Sequence, residues 1–351
     1  MRIRIVCYED PDVWICGKIA RRLTEALVAL GHSCTLGESP DSSADVNHHV
    51  IYLHYPGHTS GLHTLMVTHI DDALKLRRLQ KGLITAKAAV CMSSDGVKSL
   101  AALGVEKTKL QHVNMAHDGK AKEKRFVVGI TTRLYPDGRK READIVRLLE
   151  FISPRDFAFK IMGFGWAPIV AKARQRGFEI EYHEEFNYDR YIEMLSTLEY
   201  YMYLGRDEGS AGFIDALAAG VKTIVVPQGH HLDAKNGITH AVTTFEELKN
   251  VFLGLAAEKA ARIDAVREWT WQNYAKKHLA IWEQCIQGVP LHDCLAEESA
   301  TGFVQAAFPD RIRLWKNVFW NRFKMVMNIR KDFHCESRLW QRRRERSRSE
   351  K

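Results

Sequence analysis

Asp207 and Asp215 stand eight residues apart in the stretch DEGSAGFIDALAAGVKTIVVPQGHHLD, with Glu208 directly after the first acid. Apolar spacing predicts a short helix over 213–219, ended by Gly220. A buried strand over 222–226 follows and is closed by Pro227. Carboxylates on either side of a glycine-broken loop can converge on one ligand from two sides. A carboxylate accepts hydrogen bonds from vicinal hydroxyls, as a sugar offers them. The start of a helix presents unbonded N–H groups and a partial positive charge, which suits a phosphate. Gly209 and Gly212 let backbone approach such a ligand closely. The plain alternative is an ordinary loop–helix–strand unit whose acids are solvated.

These residues need a scaffold, and the rest of the chain alternates in a way that supplies one. Strands are predicted at 2–8, 50–54, 65–68 and 88–92, with helices at 18–30 and 94–103. A lysine-rich link over 119–125 separates them from a second series. Strands are expected there at 126–131, 157–162, 179–182 and 200–204, and helices at 141–151, 167–176 and 188–198. Strands alternating with helices indicate parallel, doubly wound sheets. Two domains are expected at this length, since single cores stop growing near ~250–300 residues. The boundaries fall at 1–120, 121–287 and 288–351, the last a basic tail.

The acidic stretch resembles the donor-sugar motif of retaining GT-B glycosyltransferases, family four in particular, where two acids eight apart lead into a segment like EAMACGxPVV. Here the second acid is Asp215, the helix reads DALAAG and the strand VKTIVVPQG. Further segments resemble that family to about residue 287: GHSCTL, AVCMSS, LAALGVEKTKLQHVNMAHD, VVGITTRLYPDGRK, FKIMGFGW and EWTWQNYAKKHLAIWEQ. The resemblance implies the fold class: α/β, two Rossmann-like doubly wound domains in the GT-B fold, with a basic amphipathic helical tail. It further implies that the last helix crosses back to the first domain, and that a cleft between the domains closes over both substrates.

It also implies roles. Arg133 and Lys140, with Arg139 beside it, correspond to the family's cations for the donor diphosphate. Their charge would stabilise the leaving group as the glycosidic bond breaks. Gly17 stands where the family keeps a glycine-rich loop near acceptor and diphosphate. Asp207, Glu208, Gly209, Ser210 and Asp215 would hold the transferred sugar and the ribose, with Glu208 or Asp207 as the first acid. His69, in VTHIDD, corresponds to a histidine near the reacting sugar, with Asp71 and Asp72 orienting it or the acceptor. His69, Glu208 and Asp215 are the expected catalytic group. The expected co-substrates are a nucleotide-diphosphate sugar and a glycan or lipid-linked acceptor, with no cofactor and no metal.

Composition narrows the alternatives. The apolar fraction is 46%, ordinary for a globular protein. No apolar run approaches the ~18 residues of a membrane span, and MRIRIVCYED has no signal-peptide core. Seven cysteines without paired spacing point to free thiols in a reducing compartment, hence a cytoplasmic protein. The net charge of +8 resides in the tail, where residues 311–351 hold 14 Lys and Arg against 4 Asp and Glu, leaving −2 for the rest. Ile312, Trp315, Phe319, Phe323 and Val326 form an apolar stripe among bases, suited to an anionic membrane face. No nucleic-acid recognition motif accompanies it. The histidines at 48, 49, 54, 58, 63 and 69 lack metal-ligand spacing. No strand is followed by G-x-G-x-x-G, which disfavours a dinucleotide oxidoreductase. A GT-B epimerase or phosphorylase, or a non-catalytic GT-B-like binding protein, stays open.

Overall fold

A computed structural model of the chain describes residues 1–58 and 60–291. The amphipathic helix and membrane-facing tail expected over 311–351 lie outside the described residues. The described chain divides into two compact units, one of Met1–His117 with the segment from Trp269, the other of Asp118–Glu268. Among the described residues no helix is long and apolar enough to cross a membrane.

The first unit runs β1 (Arg2–Val6), α1 (Ile15–Ala29), β2 (Ser33–Gly37), β3 (Val46–His49), β4 (His63–Val67), α2 (Ala73–Gly82), β5 (Ala88–Cys91), α3 (Ser94–Ala102) and β6 (Leu110–His112). Its six strands are parallel, in the order β2-β1-β3-β4-β5-β6. Successive residues of a strand face opposite sides, and β4 shows the consequence. Met66 joins Ile3, Ile5 and α1 in one core cluster, while Leu65 and Val67 join α2 and α3 in the other.

Here the structure corrects the strand expected at 50–54. Pairing runs instead through Val46–His49, and Tyr52–His54 is a single 3-10 turn. His48 and His49 are buried and serve as core residues, so the apolar pattern VIYLH sits just past the true strand. The helix α2 is rich in Lys and Arg, and packs one face through Leu76 and Leu79. It starts because the Asp72 carboxylate accepts from the Lys75 amide at 2.7 Å, an ordinary N-cap.

The second unit runs β7 (Phe126–Thr131), α4 (Glu142–Leu148), β8 (Phe157–Met162), α5 (Ala167–Gln175), β9 (Ile180–His183), α6 (Tyr188–Ser196), β10 (Tyr200–Tyr203), α7 (Ala211–Ala218), β11 (Lys222–Val225), α8 (His230–Asp233), β12 (His240–Ala241) and α9 (Phe245–Asp264). Its parallel sheet has the order β12-β11-β10-β7-β8-β9. That is the Rossmann order, in which the first strand of the unit is flanked by its second and its fourth. Alternation again sorts the core. Tyr200 and Met202 pack with β7 and α9, while Tyr201 and Tyr203 face α6 and α7. α9 begins with a full capping box of Thr244 and Glu247.

Helix α10 (Trp271–Gln287) belongs to the first unit, where Tyr274, Leu279 and Trp282 pack with α1 and β1. The Trp282 Nε1–H donates to Thr64 Oγ1 at 3.0 Å.

Candidate functional site in the second unit

In a doubly wound sheet, ligands collect outside the carboxyl ends of the strands where the order reverses. In the second unit that point lies between β7 and β10, and the loops leaving them are unusually well fixed. After β7, the Thr132 carbonyl accepts from Trp166 Nε1–H at 2.6 Å, and the Leu134 amide donates to the Phe164 carbonyl at 2.9 Å. Gly163, at φ +144°, makes this clasp possible, since a Cβ there would lie 2.2 Å from the Thr132 oxygen. Arg133 is thereby held at the strand end, its guanidinium 5.0 Å from the Tyr135 ring centre, with that of Arg139 at 4.8 Å from the same ring.

After β10, Asp207 anchors the acidic loop. Its Oδ2 accepts from Lys140 Nζ at 2.6 Å and from the Tyr203 hydroxyl at 2.7 Å, and its Oδ1 accepts from the Gly209 amide at 3.1 Å. Lys140 also donates to the Tyr203 hydroxyl. Burial on its own raises the Asp207 pKa, but these hydrogen bonds outweigh it and hold the carboxyl below its usual range. The Gln228 side chain takes the Asp207 amide at 3.0 Å and donates to the Gly205 carbonyl.

The loop then enters α7 at Ser210. Its hydroxyl turns away from the helix to the buried Tyr201 hydroxyl, 2.6 Å away, which meets Thr131 Oγ1 at 2.8 Å. The first-turn amides of α7 are left without a side-chain cap. The Ser210 amide donates to His231 Nε2 at 3.0 Å, so His231 Nδ1 carries the proton and donates to the Val226 carbonyl. Burial lowers the His231 pKa, in keeping with this neutral form. Gly212 packs on Thr131 and Tyr201 so closely that a Cβ would lie 2.4 Å from either hydroxyl oxygen.

Between these loops lies a cavity of about 820 Å³. Thr131, Thr132 and Arg133 line it after β7, Gly163 and Phe164 after β8, and Glu184, Glu185 and Phe186 after β9. Tyr188 and Tyr191 of α6 and Ser210, Ala211, Gly212 and Asp215 complete it. Asp215 Oδ2 accepts from the Tyr191 hydroxyl at 2.6 Å. Burial, and then this carboxylate, push the Tyr191 pKa up, so the phenol stays protonated and the acid stays oriented.

Of the residues singled out from sequence, Arg133, Ser210, Gly212 and Asp215 share this cavity. Lys140 and Asp207 are not among its lining residues, and the buried Lys140 is paired with Asp207. Arg139 is exposed and bonded to Asp137. Glu208 is exposed. Gly209, at φ +107°, sits against His230 and His231. In the first unit His69 is exposed at the end of β4. Its Nε2 accepts from Lys75 Nζ at 3.1 Å, which leaves Nδ1–H to donate to Thr68. Asp72 caps α2 and Asp71 pairs with Lys75. Gly17 does not lie in a loop after β1. It is buried in the first turn of α1, where a Cβ would meet the Glu9 carbonyl at 2.5 Å. Tyr191, Tyr201, Tyr203 and His231 hold the acidic loop and were not expected from sequence. The alternating tyrosines of YYMY were the available signal, since residues two apart in a strand share a face. Among the described residues no group of three or more His, Cys, Asp and Glu is placed to hold a metal ion.

Two doubly wound units of this make-up are what a GT-B protein contains. No protein-family model matches the chain, and no curated protein matches it. Solved structures similar to it include AviGT4, a glycosyltransferase involved in avilamycin A biosynthesis, at 13% identity over 82% of this chain and 99% of that one, TM-score 0.30. Another is Anabaena HepE in complex with UDP and glucose, at 11% identity over 81% of this chain and 100% of that one, TM-score 0.33. A third is the lipopolysaccharide outer core galactosyltransferase WaaB, at 12% identity over 82% and 99%, TM-score 0.33. At such identities and scores, nothing about activity passes from those proteins to this chain.

Proposed function

We propose that the second unit binds a nucleoside-diphosphate sugar and that the protein transfers its glycosyl group, with retention, to a glycan or lipid-linked acceptor. The carrying observation is the cavity at the switch point, where Arg133, the uncapped start of α7 and the oriented Asp215 share one space.

Each part has a task in this reading. Arg133 and the α7 amides bind the diphosphate, a planar cation and fixed dipoles that cost no reorganisation as charge develops. Asp215 accepts from sugar hydroxyls while Tyr191 holds its other oxygen. Asp207, committed to Lys140, sets the loop from which Glu208 reaches the transferred sugar. The acceptor oxygen bonds to the anomeric carbon on the face the diphosphate leaves, and a departing phosphate oxygen takes its proton. A role for His69 belongs to the acceptor side of the proposal. No metal is proposed, because the cation and the helix start supply the charge that a metal would.

The test is a thermal-shift panel of nucleoside diphosphates and their sugars on the full chain, with Asp215→Ala alongside. A ligand at a hundred times its dissociation constant stabilises by about 2.7 kcal/mol. Stabilisation lost in Asp215→Ala supports the donor site. No shift with any member of the panel overturns it and leaves a non-catalytic binding protein.

A further inference from the structure

The cavity is chemically graded along the sheet edge. Its lining follows the strand ends β10, β7, β8 and β9, which is three strand spacings or roughly 14 Å. At the β10 and β7 end stand the α7 start, Arg133, which is the cation among the lining residues, and Asp215, whose charge offsets that of Arg133, so this end is near neutral while the other carries two carboxylates. At the β9 end stand Glu184 and Glu185. Glu184 lies beside the Tyr182 hydroxyl, whereas Glu185 has no ion-pair or hydrogen-bond partner among the described residues. Around that end Phe164, Phe186 and Tyr188 are 61%, 68% and 65% exposed, an aromatic rim on which any nucleobase can stack.

An anionic diphosphate is attracted to the first end and repelled from the second, so the orientation follows: phosphates at Arg133, base at Glu185. Resting on the donor-site reading, we propose that the base is guanine and that Glu185 selects it. A carboxylate only accepts hydrogen bonds. Guanine presents two parallel donors, N1–H and the 2-amino group, which match the two carboxylate oxygens as an arginine fork does. Uracil and thymine flank their single N–H with carbonyl oxygens, which a carboxylate repels. Adenine and cytosine offer one amino group beside a ring acceptor.

The experiment is calorimetric titration of the full chain with GDP, IDP, UDP and ADP, repeated on Glu185→Gln and Glu184→Gln. GDP is expected to bind about 10-fold or more tightly than IDP, which lacks the 2-amino group, and than UDP or ADP. Glu185→Gln should weaken GDP by about 10-fold and erase its advantage over IDP, with the melting temperature of the free protein unchanged. UDP or ADP as the tightest ligand, GDP equal to IDP, or indifference to Glu185→Gln each overturns guanine selection while the donor site stands. Binding of none of these four, nor of CDP or dTDP titrated alongside, overturns the donor site itself.

Discussion

The Nζ of Lys140 lies 2.6 Å from Asp207 Oδ2, and the Tyr203 hydroxyl bonds both partners. The lysine side chain is 9% exposed and the aspartate 29%. Lys140 therefore neutralises the loop acid from within the unit, and Arg133 is left as the cation on the cavity wall. Lys140 is the buried member, so removing Asp207 strands an uncompensated charge, whereas removing Lys140 leaves a carboxylate that water still reaches. Asp207→Asn should cost about 3 kcal/mol, and Lys140→Met less. The double variant should lose less than the two losses summed. Urea unfolding of the four proteins measures this cycle, and strict additivity would contradict the pairing.

Acid should weaken the first unit through its histidines. Burial lowers His48 well below its ordinary value, His49 to about 3 and His278 to about 4. His48 faces Thr64, His278 and Trp282, and His49 faces His63, His58 and Tyr55. Above the unfolded value of ~6.5 these rings are neutral in both states, and their full contribution is present. As pH falls below it, the unfolded chain gains protons that the folded unit refuses. Stability should then drop by about 1.4 kcal/mol per pH unit for each such ring, down to the folded pKa. Chemical unfolding between pH 7.5 and 5 should show that slope, and His49→Phe should reduce it.

Gly212→Ala should abolish nucleotide binding before it unfolds the protein. The added methyl meets two hydroxyl oxygens at 2.4 Å, and overpacking of this kind costs about 1–3 kcal/mol. To relieve it α7 must move away from β7, carrying its first-turn amides with it. Thermal shift with and without ligand separates the two effects.

Tyr191→Phe removes the hydrogen bond to Asp215 and leaves the ring contacts with Phe186 and Tyr188 in place. A stability loss of about 1 kcal/mol is expected. The donor Kd should rise as well, because Asp215 loses its fixed rotamer. An unchanged Kd in calorimetry would show that Asp215 needs no positioning.

Much of the second unit was legible because strands such as β8 and β10 are buried on both faces and read as apolar runs. Phe157–Met162 falls where 157–162 was expected, and α7 lies within two residues of 213–219. The first unit was harder where its core is polar. His48 and His49 are strand residues that no hydropathy pattern marks, and α2 is a basic helix whose start is set by the Asp72 cap.

Local chemistry is carried by the chain itself. Residue type and spacing determined the alternating α/β plan and put an acid at 207 and another at 215. They also placed a glycine-bearing helix start between the two, since φ/ψ preference, capping and periodicity act over a few residues. Which acid faces a ligand was decided only by tertiary structure. Asp207 is turned inward because Lys140, 67 positions away in sequence, is buried beside it. Asp215 is turned toward the cavity because Tyr191, 24 positions away, holds one of its oxygens there. A carboxylate takes its role from the partner that desolvates or pairs it, and the order of strands in the sheet selects that partner.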